Sequence, residues 1–313
     1  MLKYIISRLV YFVPTLVVVA FIVFLLIHLV PGDPAFVILG PDANQEAIAS
    51  LRHTLGLDKP LAVQFVTWLG GVVRGDFGTS LHTKLPVFQS IQERFPVTLT
   101  LTTLSLLFSI LFALPSGILA ALYRNTKKDY LFMLATSLGV SFPGFWLGLV
   151  ALIIFSLRLG WFPSSGYVPI WEDPWNGFRY MLLPSLTLGA SMAAVVARMT
   201  RSSMLEVLNL EYVTHARAKG LTEWKVIMKH ALKNAFAPTL TTIGIQYGGL
   251  LGGAVVTETV FNLPGVGKYV VNAISVRDYP VVQGSILYMA LVYLVINLVV
   301  DILYVYFDPR IEY

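Results

Sequence analysis

The amino-acid sequence predicts an all-α polytopic membrane protein. Hydrophobic residues make up 56% of its 313 residues and charged residues only 12%, whereas about a quarter of a soluble domain is charged. Six apolar runs are each long enough to cross roughly 30 Å of hydrocarbon as a helix: residues 9–30, 97–122, 130–157, 180–197, 239–256 and 281–300. Because a lone strand cannot satisfy its backbone in lipid, all six are predicted to be helices.

The first apolar run is predicted to be a retained anchor. It follows Lys3 and Arg8, as the core of a secretory signal would, but it is longer than such a core. Pro31 and Gly32 follow it in place of a small-residue cleavage site. Cysteine is absent, which excludes disulfides and thiolate metal sites.

The basic residues predict the orientation of the spans. If six spans alternate, one side of the membrane receives Lys3, Arg8, Arg124, Lys127, Lys128, Arg198, Arg201, Arg217, Lys219, Lys225, Lys229 and Lys233. The positive-inside rule places that side, and both termini, in the cytoplasm. The net charge of +5 is therefore a topology signal and does not require nucleic-acid binding.

Residues 31–96 are predicted to form an extracytoplasmic insertion between the first two spans. Residues 45–55 and 63–73 have helical apolar spacing, and the string GDFG at 75–78 indicates a turn. Two interpretations stay open: a structural clasp on the bundle and a docking site for an external binding protein.

The only long charged stretch between two apolar runs is 211–238, and it overlaps the predicted cytoplasmic coupling loop at 198–237. Residues 206–219 can form a helix that Gly220 ends, and Thr222 can cap a second helix with Glu223 in its first turn. That second helix is amphipathic and predicted to lie along the membrane, with an apolar face of Trp224, Ile227, Met228, Ala231, Leu232 and Ala235 and a basic face of Lys225, Lys229 and Lys233.

A family resemblance begins at this stretch and runs nearly end to end. The strings that carry it are ARAKG at 216–220, HAL at 230–232, NA at 234–235 before Pro238, PGDP at 31–34, GDFG at 75–78, PSLTLG at 184–189, TE at 257–258, PGVG at 264–267, RDYPV at 277–281 and DPR at 308–310. In this order they resemble the permease subunits of ATP-binding-cassette (ABC) importers, most closely the first permease subunit of the dipeptide, oligopeptide, glutathione and nickel group. The resemblance implies a single permease domain over 1–313 with the type I importer fold.

The resemblance also implies the site and the partners. The stretch 211–238 looks like the coupling loop, with ATPase-coupling residues Tyr212, Thr214, Ala216, Arg217, Ala218, Lys219 and Gly220. The partners implied are a second permease, two ATPases that bind the ATP and magnesium, and an extracytoplasmic binding protein. The chain itself is expected to hold no cofactor and to catalyse no reaction. The superfamily places a Glu where this chain has Thr214.

The roles of two coupling residues stay open. Arg217 and Lys219 are candidates for polar contacts to an ATPase, while Ala216 and Ala218 allow close approach. The alternative for the basic pair is membrane topology alone.

The energy source is expected to lie outside the bundle. The middles of all six runs lack Asp, Glu, Lys and Arg, and Asp301 lies at the end of the last one. Proton-coupled carriers need such groups as relays. A channel or ion-coupled carrier and a non-transporting scaffold are the alternatives from other classes. Within the importer class, a short peptide is the expected cargo, with glutathione or chelated nickel as the alternative.

Two glycine motifs and one histidine need separate interpretation. The string GVGK at 265–268 resembles a phosphate-binding loop, but Asn262 and Tyr269 stand where that loop needs Gly and Ser or Thr. The two GxxxG spacings within 248–253 allow close helix packing, either inside the chain or against a second permease. His28 is interpreted as a residue near a helix end, because no metal-ligand spacing is found.

Overall fold

The computed structural model describes residues 2–29, 34–39, 43–54 and 56–307, and most of them are helical. The α-helices are α1 (Leu2–Leu29), α2 (Pro34–Leu39), α3 (Gln45–Thr54), α4 (Leu61–Val73), α5 (Val87–Leu122), α6 (Lys127–Ser141), α7 (Gly144–Ala151), α8 (Pro174–Leu208), α9 (Glu211–Ala218), α10 (Glu223–Lys225), α11 (Leu232–Val260), α12 (Val266–Ser275) and α13 (Tyr279–Phe307). Two π-helical segments, Leu152–Arg158 and Val226–Ala231, follow α7 and α10. These residues contain no strand, only an isolated bridge between Thr79 and Pro86. The all-α prediction is confirmed.

Some sequence predictions concern positions outside the described residues. They are the motif residues 31–33 and 308–310 and the side chain of His28.

The predicted spans correspond to long apolar helices. Among the described residues, four helices are long and apolar enough to cross a membrane: Val87–Leu122, Pro174–Leu208, Glu223–Val260 and Tyr279–Ile302. A fifth forms if the bent pair Lys127–Ser141 and Gly144–Arg158 is one span. The first run lies in α1, which is about 42 Å long at 1.5 Å per residue. The apolar part of α1 whose side chains are described is shorter, Val10–Leu25. The count of six therefore stays a prediction.

The chain forms two compact units, and α8 is the central helix of one of them. This unit comprises Val97–Pro264 and Ile296–Tyr313. Its helix α8 packs against α6, α7 and α11 around a core that includes Met181, Met192 and Leu250. Small residues permit close helix approach: a Cβ on Gly117 would lie 2.6 Å from the Ala197 carbonyl oxygen. Such packing is typical of membrane helices, where lipid supplies no hydrophobic drive for association.

The other unit comprises Met1–Pro96 and Gly265–Val295. Its core cluster contains Phe77, Val87, Ile91, Val266, Ala273 and Val281. Helices α3 and α4 match the two helical stretches expected within 31–96 to within two residues. Asp278 is 3% exposed and accepts hydrogen bonds from the Ser80 hydroxyl (2.5 Å) and the Leu81 N–H (3.1 Å). It thus anchors the end of the insertion to the segment before α13, as a structural clasp requires.

The third predicted span is sharply bent at Pro143. The axes of Lys127–Ser141 and Gly144–Arg158 meet at 101°. Proline causes the break because it has no N–H to donate and its ring clashes with the preceding turn. Pro143 is therefore the feature of the sequence that marks this bend. By contrast, α5 continues as one helix through Pro115.

Candidate coupling segment

The predicted coupling residues lie on and just after α9. The helix expected over 206–219 is divided, because α8 ends at Leu208 and α9 begins at Glu211. At the division the Leu210 N–H bonds to the Val207 carbonyl, and Leu210 takes an extended backbone conformation. Since only Asn209 and Leu210 separate the two helices, α9 is closely tethered to the end of α8.

One face of α9 is buried and the other is exposed. Val213 and Ala216 pack in a cluster with Met204 and Val207 of α8, to which Val226, Ile227, Ala231 and Ala235 also belong. Of the predicted coupling residues, six are exposed: Tyr212, Thr214, Arg217, Ala218, Lys219 and Gly220. Ala216 is only 6% exposed, so the expectation that it permits close approach of a partner is corrected. Its small side chain permits α9 to pack against its own subunit.

Gly220 ends this segment in the left-handed conformation that the sequence predicts. Its φ is +78°, and its N–H bonds to the Arg217 carbonyl at 2.9 Å. A Cβ added there would meet no atom within 4 Å, so only the backbone conformation disfavours other residues. Thr222 stands at the predicted N-cap position, but its side chain makes no capping hydrogen bond.

Arg217 has a partner within its own loop that was not predicted from the sequence. Its Nη2 donates to Glu223 Oε1 at 2.8 Å, and its Nε also faces this carboxylate. This hydrogen bond lowers the pKa of Glu223 and raises that of Arg217. Both side chains are substantially exposed, at 40% and 55%, so the pair contributes at most about 1 kcal/mol. It closes the turn around Gly220.

Tyr212 braces α9 against the following helix. Its hydroxyl donates to the His230 carbonyl at 3.2 Å and accepts from Asn234 Nδ2 at 2.6 Å. His230 and Asn234, which lie 18 and 22 positions after Tyr212, thus fix the first turn of α9. No local pattern could have indicated this contact.

The second predicted helix is not separate from the span that follows it. The backbone is helical from Glu223 to Val260 and includes the π-helical segment Val226–Ala231. Ile227, Ala231 and Ala235 are buried as the amphipathic pattern predicts. Trp224, however, is 70% exposed. The expectation of a separate helix along the membrane is therefore corrected: this stretch begins the long helix that contains the fifth apolar run.

A charged pair fixes α8 to α6 near the coupling segment. Arg201 donates from Nε to Asp129 Oδ1 at 2.8 Å and from Nη2 to Oδ2 at 2.7 Å. The Asn125 N–H also bonds to Asp129 at 3.0 Å, and the carboxylate is 3% exposed. The hydrogen bond from Arg201 holds the pKa of Asp129 below its usual value despite burial. Arg201, predicted from the sequence only as a topology signal, thus also joins two helices.

Sequence comparisons identify relatives over the whole length. Residues 113–313 match the family described as "Binding-protein-dependent transport system inner membrane component", and residues 1–102 match its N-terminal companion. The chain is 48% identical over 313 residues to a Salmonella paratyphi A protein named "Glutathione transport system permease protein GsiC". An Escherichia coli K12 protein of the same name is 46% identical. In both cases the match covers 100% of both chains.

Structural comparison identifies the same fold. A chain from an inward-facing structure of "the MetNI methionine ABC transporter" matches with a TM-score of 0.58 and 18% identity, over 70% of this chain and 97% of that one. A second crystal form gives a TM-score of 0.54 and 19% identity, over 68% and 93%. The chain therefore belongs to the binding-protein-dependent transport system inner membrane components: it is a multi-pass inner-membrane permease of an ABC importer, working with ATPase and substrate-binding partners.

Proposed function

We propose that this permease imports short peptides, and that ATPases drive it through the exposed face of α9. The observation that carries the proposal is the position of α9: its outer face is exposed while its inner face packs on the neighbouring helices. Val213 and Ala216 contact the cluster that contains Met204 of α8 and Ala235 of α11. A push on α9 is thereby transmitted to two long helices at once.

ATPases can change the side of the membrane to which the pathway opens only if the movement of α9 is passed rigidly to the spans. Packed elements move as bodies because a close-packed cluster does not deform continuously. The Tyr212 brace and the Arg217–Glu223 pair limit movement of α9 within its loop. Thr214, Arg217, Ala218, Lys219 and Gly220 are then the surface offered to an ATPase.

A second permease is proposed to pack on an exposed stripe of α11. Ile245, Gly249, Gly252 and Val256 lie along one helix face, and all four are exposed. A Cβ at Gly249 or Gly252 would meet nothing within 4 Å, whereas one at Gly253 would lie 2.9 Å from Leu188 Cδ1. Each GxxxG spacing thus joins one inward and one outward glycine: Gly248 and Gly253 pack inside the chain, and Gly249 and Gly252 are exposed for a second subunit.

The ATP and magnesium are proposed to bind only to the partner ATPases. The string at 265–268 lies in the turn before α12 and in its first residues, without the glycine and hydroxyl residues of a phosphate-binding loop. Purified chain is expected to show no specific ATP turnover. Hydrolysis that survives removal of all partner subunits would contradict this.

The cargo is proposed to be a short peptide, with glutathione, itself a tripeptide, as the second candidate. Full-length similarity to proteins named glutathione transport permeases supports a cargo of this peptide size. The test is ATP-dependent uptake of labelled dipeptide, tripeptide and glutathione by liposomes that contain the permease with its ATPases and binding protein. Uptake of a nickel chelate alone would contradict both candidates.

A further inference from the structure

The break between α6 and α7 can be placed against α8. A Cβ on Gly139, just before the break, would lie 3.3 Å from Ala194 Cβ and 3.5 Å from the Ala190 carbonyl oxygen. A Cβ on Gly148, just after the break, would lie 3.3 Å from Thr187 Cγ2. The broken backbone is therefore level with positions 187–190.

This level is midway along the apolar part of α8. Arg179 precedes position 187 by eight residues, and Arg198 follows position 190 by eight. At 1.5 Å per residue, each arginine is about 12 Å away along the helix axis. Since charged residues mark the ends of a span, the break lies near the middle of roughly 30 Å of hydrocarbon.

Some backbone polar groups at the break have no hydrogen-bond partner within α6 or α7. Pro143 has no N–H, so the Gly139 carbonyl lacks its usual donor four residues later. The N–H groups of Trp146 and Leu147 bond to the Pro143 carbonyl at 3.0 and 3.2 Å. Within the described residues, no hydrogen bond reaches the N–H of Gly144 or Phe145.

The same segment is exposed. All six residues of 141–146 are exposed, including Phe145 at 50%. The rings of Phe142 and Trp146 stack on each other with centroids 4.7 Å apart. A Cβ on Gly144 would meet nothing within 4 Å, so its backbone is open to the surroundings.

Lipid cannot surround such a segment. Irregular backbone at membrane depth is tolerated only where protein buries it or water reaches it. A neighbouring transmembrane helix has already bonded its own backbone internally, whereas water can both donate and accept. We infer that residues 141–146 line the aqueous pathway through which cargo crosses, a role that rests on the transport function proposed above.

Thiol labelling tests this inference. The chain has no native cysteine that could react with the reagent. Ser141→Cys and Phe145→Cys are each introduced into the transporter assembled with its partners in liposomes. A charged, membrane-impermeant thiol reagent is supplied on both sides. The control is Leu111→Cys, which replaces an apolar residue that is 62% exposed on the unbroken helix α5.

Cysteine reacts as the thiolate, which forms only where water is present. We expect Ser141→Cys and Phe145→Cys to react at least about tenfold faster than Leu111→Cys. Rates no faster than the control would overturn the inference. Reaction that begins only after detergent separates the subunits would overturn it too, by placing 141–146 in a protein interface.

Labelling requires neither cargo nor ATP turnover. Slow labelling in a transporter that takes up peptide counts against the pathway assignment alone. Fast labelling in a transporter that takes up no peptide leaves that assignment standing and counts against the proposed cargo.

Discussion

Arg201 of α8 holds both carboxylate oxygens of Asp129, which lies in the first turn of α6. The two bonds measure 2.8 and 2.7 Å, and the carboxylate is 3% exposed while the arginine is 23% exposed. A bidentate pair of this kind fixes orientation as well as distance. It joins α6, whose far end carries the break at Pro143, to the helix on which the coupling segment packs.

Arg201→Met is expected to destabilise the permease strongly, by on the order of 3 kcal/mol, because it leaves a buried carboxylate unpaired. Asp129→Asn should cost less, since the amide oxygen can still accept from the Asn125 N–H and from the guanidinium. The measurement is thermal unfolding of the purified permease. Equal stability of Arg201→Met and the unchanged protein would contradict a structural role for the pair.

The same pair predicts a dependence on pH. The pKa of Asp129 is lowered in the folded state, chiefly by the hydrogen bond from Arg201. Its stabilising contribution is therefore complete above the unfolded pKa of about 3.9 and is lost as the pH falls through the lower folded value. Acid titration of unfolding should show less loss below about pH 4 in Asp129→Asn than in the unchanged permease.

Gly220→Val is expected to uncouple the ATPases from transport while the spans remain folded. A β-branched residue at a φ of +78° is strained by on the order of 1 kcal/mol or more. Gly220→Asn is the matched control, because asparagine tolerates the left-handed region. ATPase co-purification and peptide uptake are measured together. Normal values for both in Gly220→Val would refute the coupling assignment.

Arg217 can be tested apart from its internal partner. Glu223→Gln weakens the pair within the loop and leaves the arginine charge in place, so it should reduce uptake only slightly. Arg217→Glu places two carboxylates together and reverses a charge on the exposed face of α9, so it should reduce ATPase binding clearly. If both variants lose binding equally, the pair itself matters and a contact from Arg217 to an ATPase is unsupported.

The orientation of the chain can be tested with single cysteines at exposed positions. Gln45→Cys and Ser165→Cys should react with an impermeant reagent in intact cells, and Thr126→Cys only after the membrane is opened. Ser165 is preferred to the neighbouring Gly166, where φ is +107° and an added Cβ would lie 3.1 Å from Tyr180 Cε1, so that substitution is strained. The opposite labelling pattern would place α9 outside the cytoplasm.

Two glycines separate internal packing from subunit contact. Gly117→Leu should destabilise the isolated chain by about 1–3 kcal/mol, since its Cβ would lie 2.6 Å from both the Ala197 carbonyl oxygen and Thr200 Cβ. Gly252→Leu should leave the isolated chain as stable as before and reduce assembly with the second permease. Assembly is measured by co-purification of the two permeases. Full assembly of Gly252→Leu would exclude the stripe on α11 from the interface.

Local chemistry made much of this molecule predictable. In lipid, a single apolar run of about 20 residues satisfies its backbone hydrogen bonds by forming a helix. The apolar runs alone therefore predicted an all-α protein. Pro143 and Gly220 also acted through their own backbones: one lacks an N–H and the other has no Cβ. The positions of the bend and of the left-handed turn were therefore visible in the sequence.

The exposed and buried faces were only partly predictable. The helical spacing of apolar residues in the 211–238 stretch identified Ile227 and Ala231 as buried. It did not show that Ala216 faces the core and that Trp224 is exposed. That outcome depends on where α8 lies beside α9. A helix pattern defines a stripe, and only the neighbouring helices decide which part of the stripe is covered.

The sequence by itself thus determined the class of protein, the helices and the backbone breaks, because each follows from a residue's own geometry or from its solubility in lipid. Tertiary structure alone decided the pairs that hold the helices together: Arg201 with Asp129, Asp278 with Ser80, and Glu258 with Thr98, whose hydroxyl donates to it at 2.6 Å. Their partners lie 72, 198 and 160 residues apart, and no spacing rule links positions so distant. Each pair forms because helix packing brings the two polar groups together where water is scarce and an unpaired group would be costly.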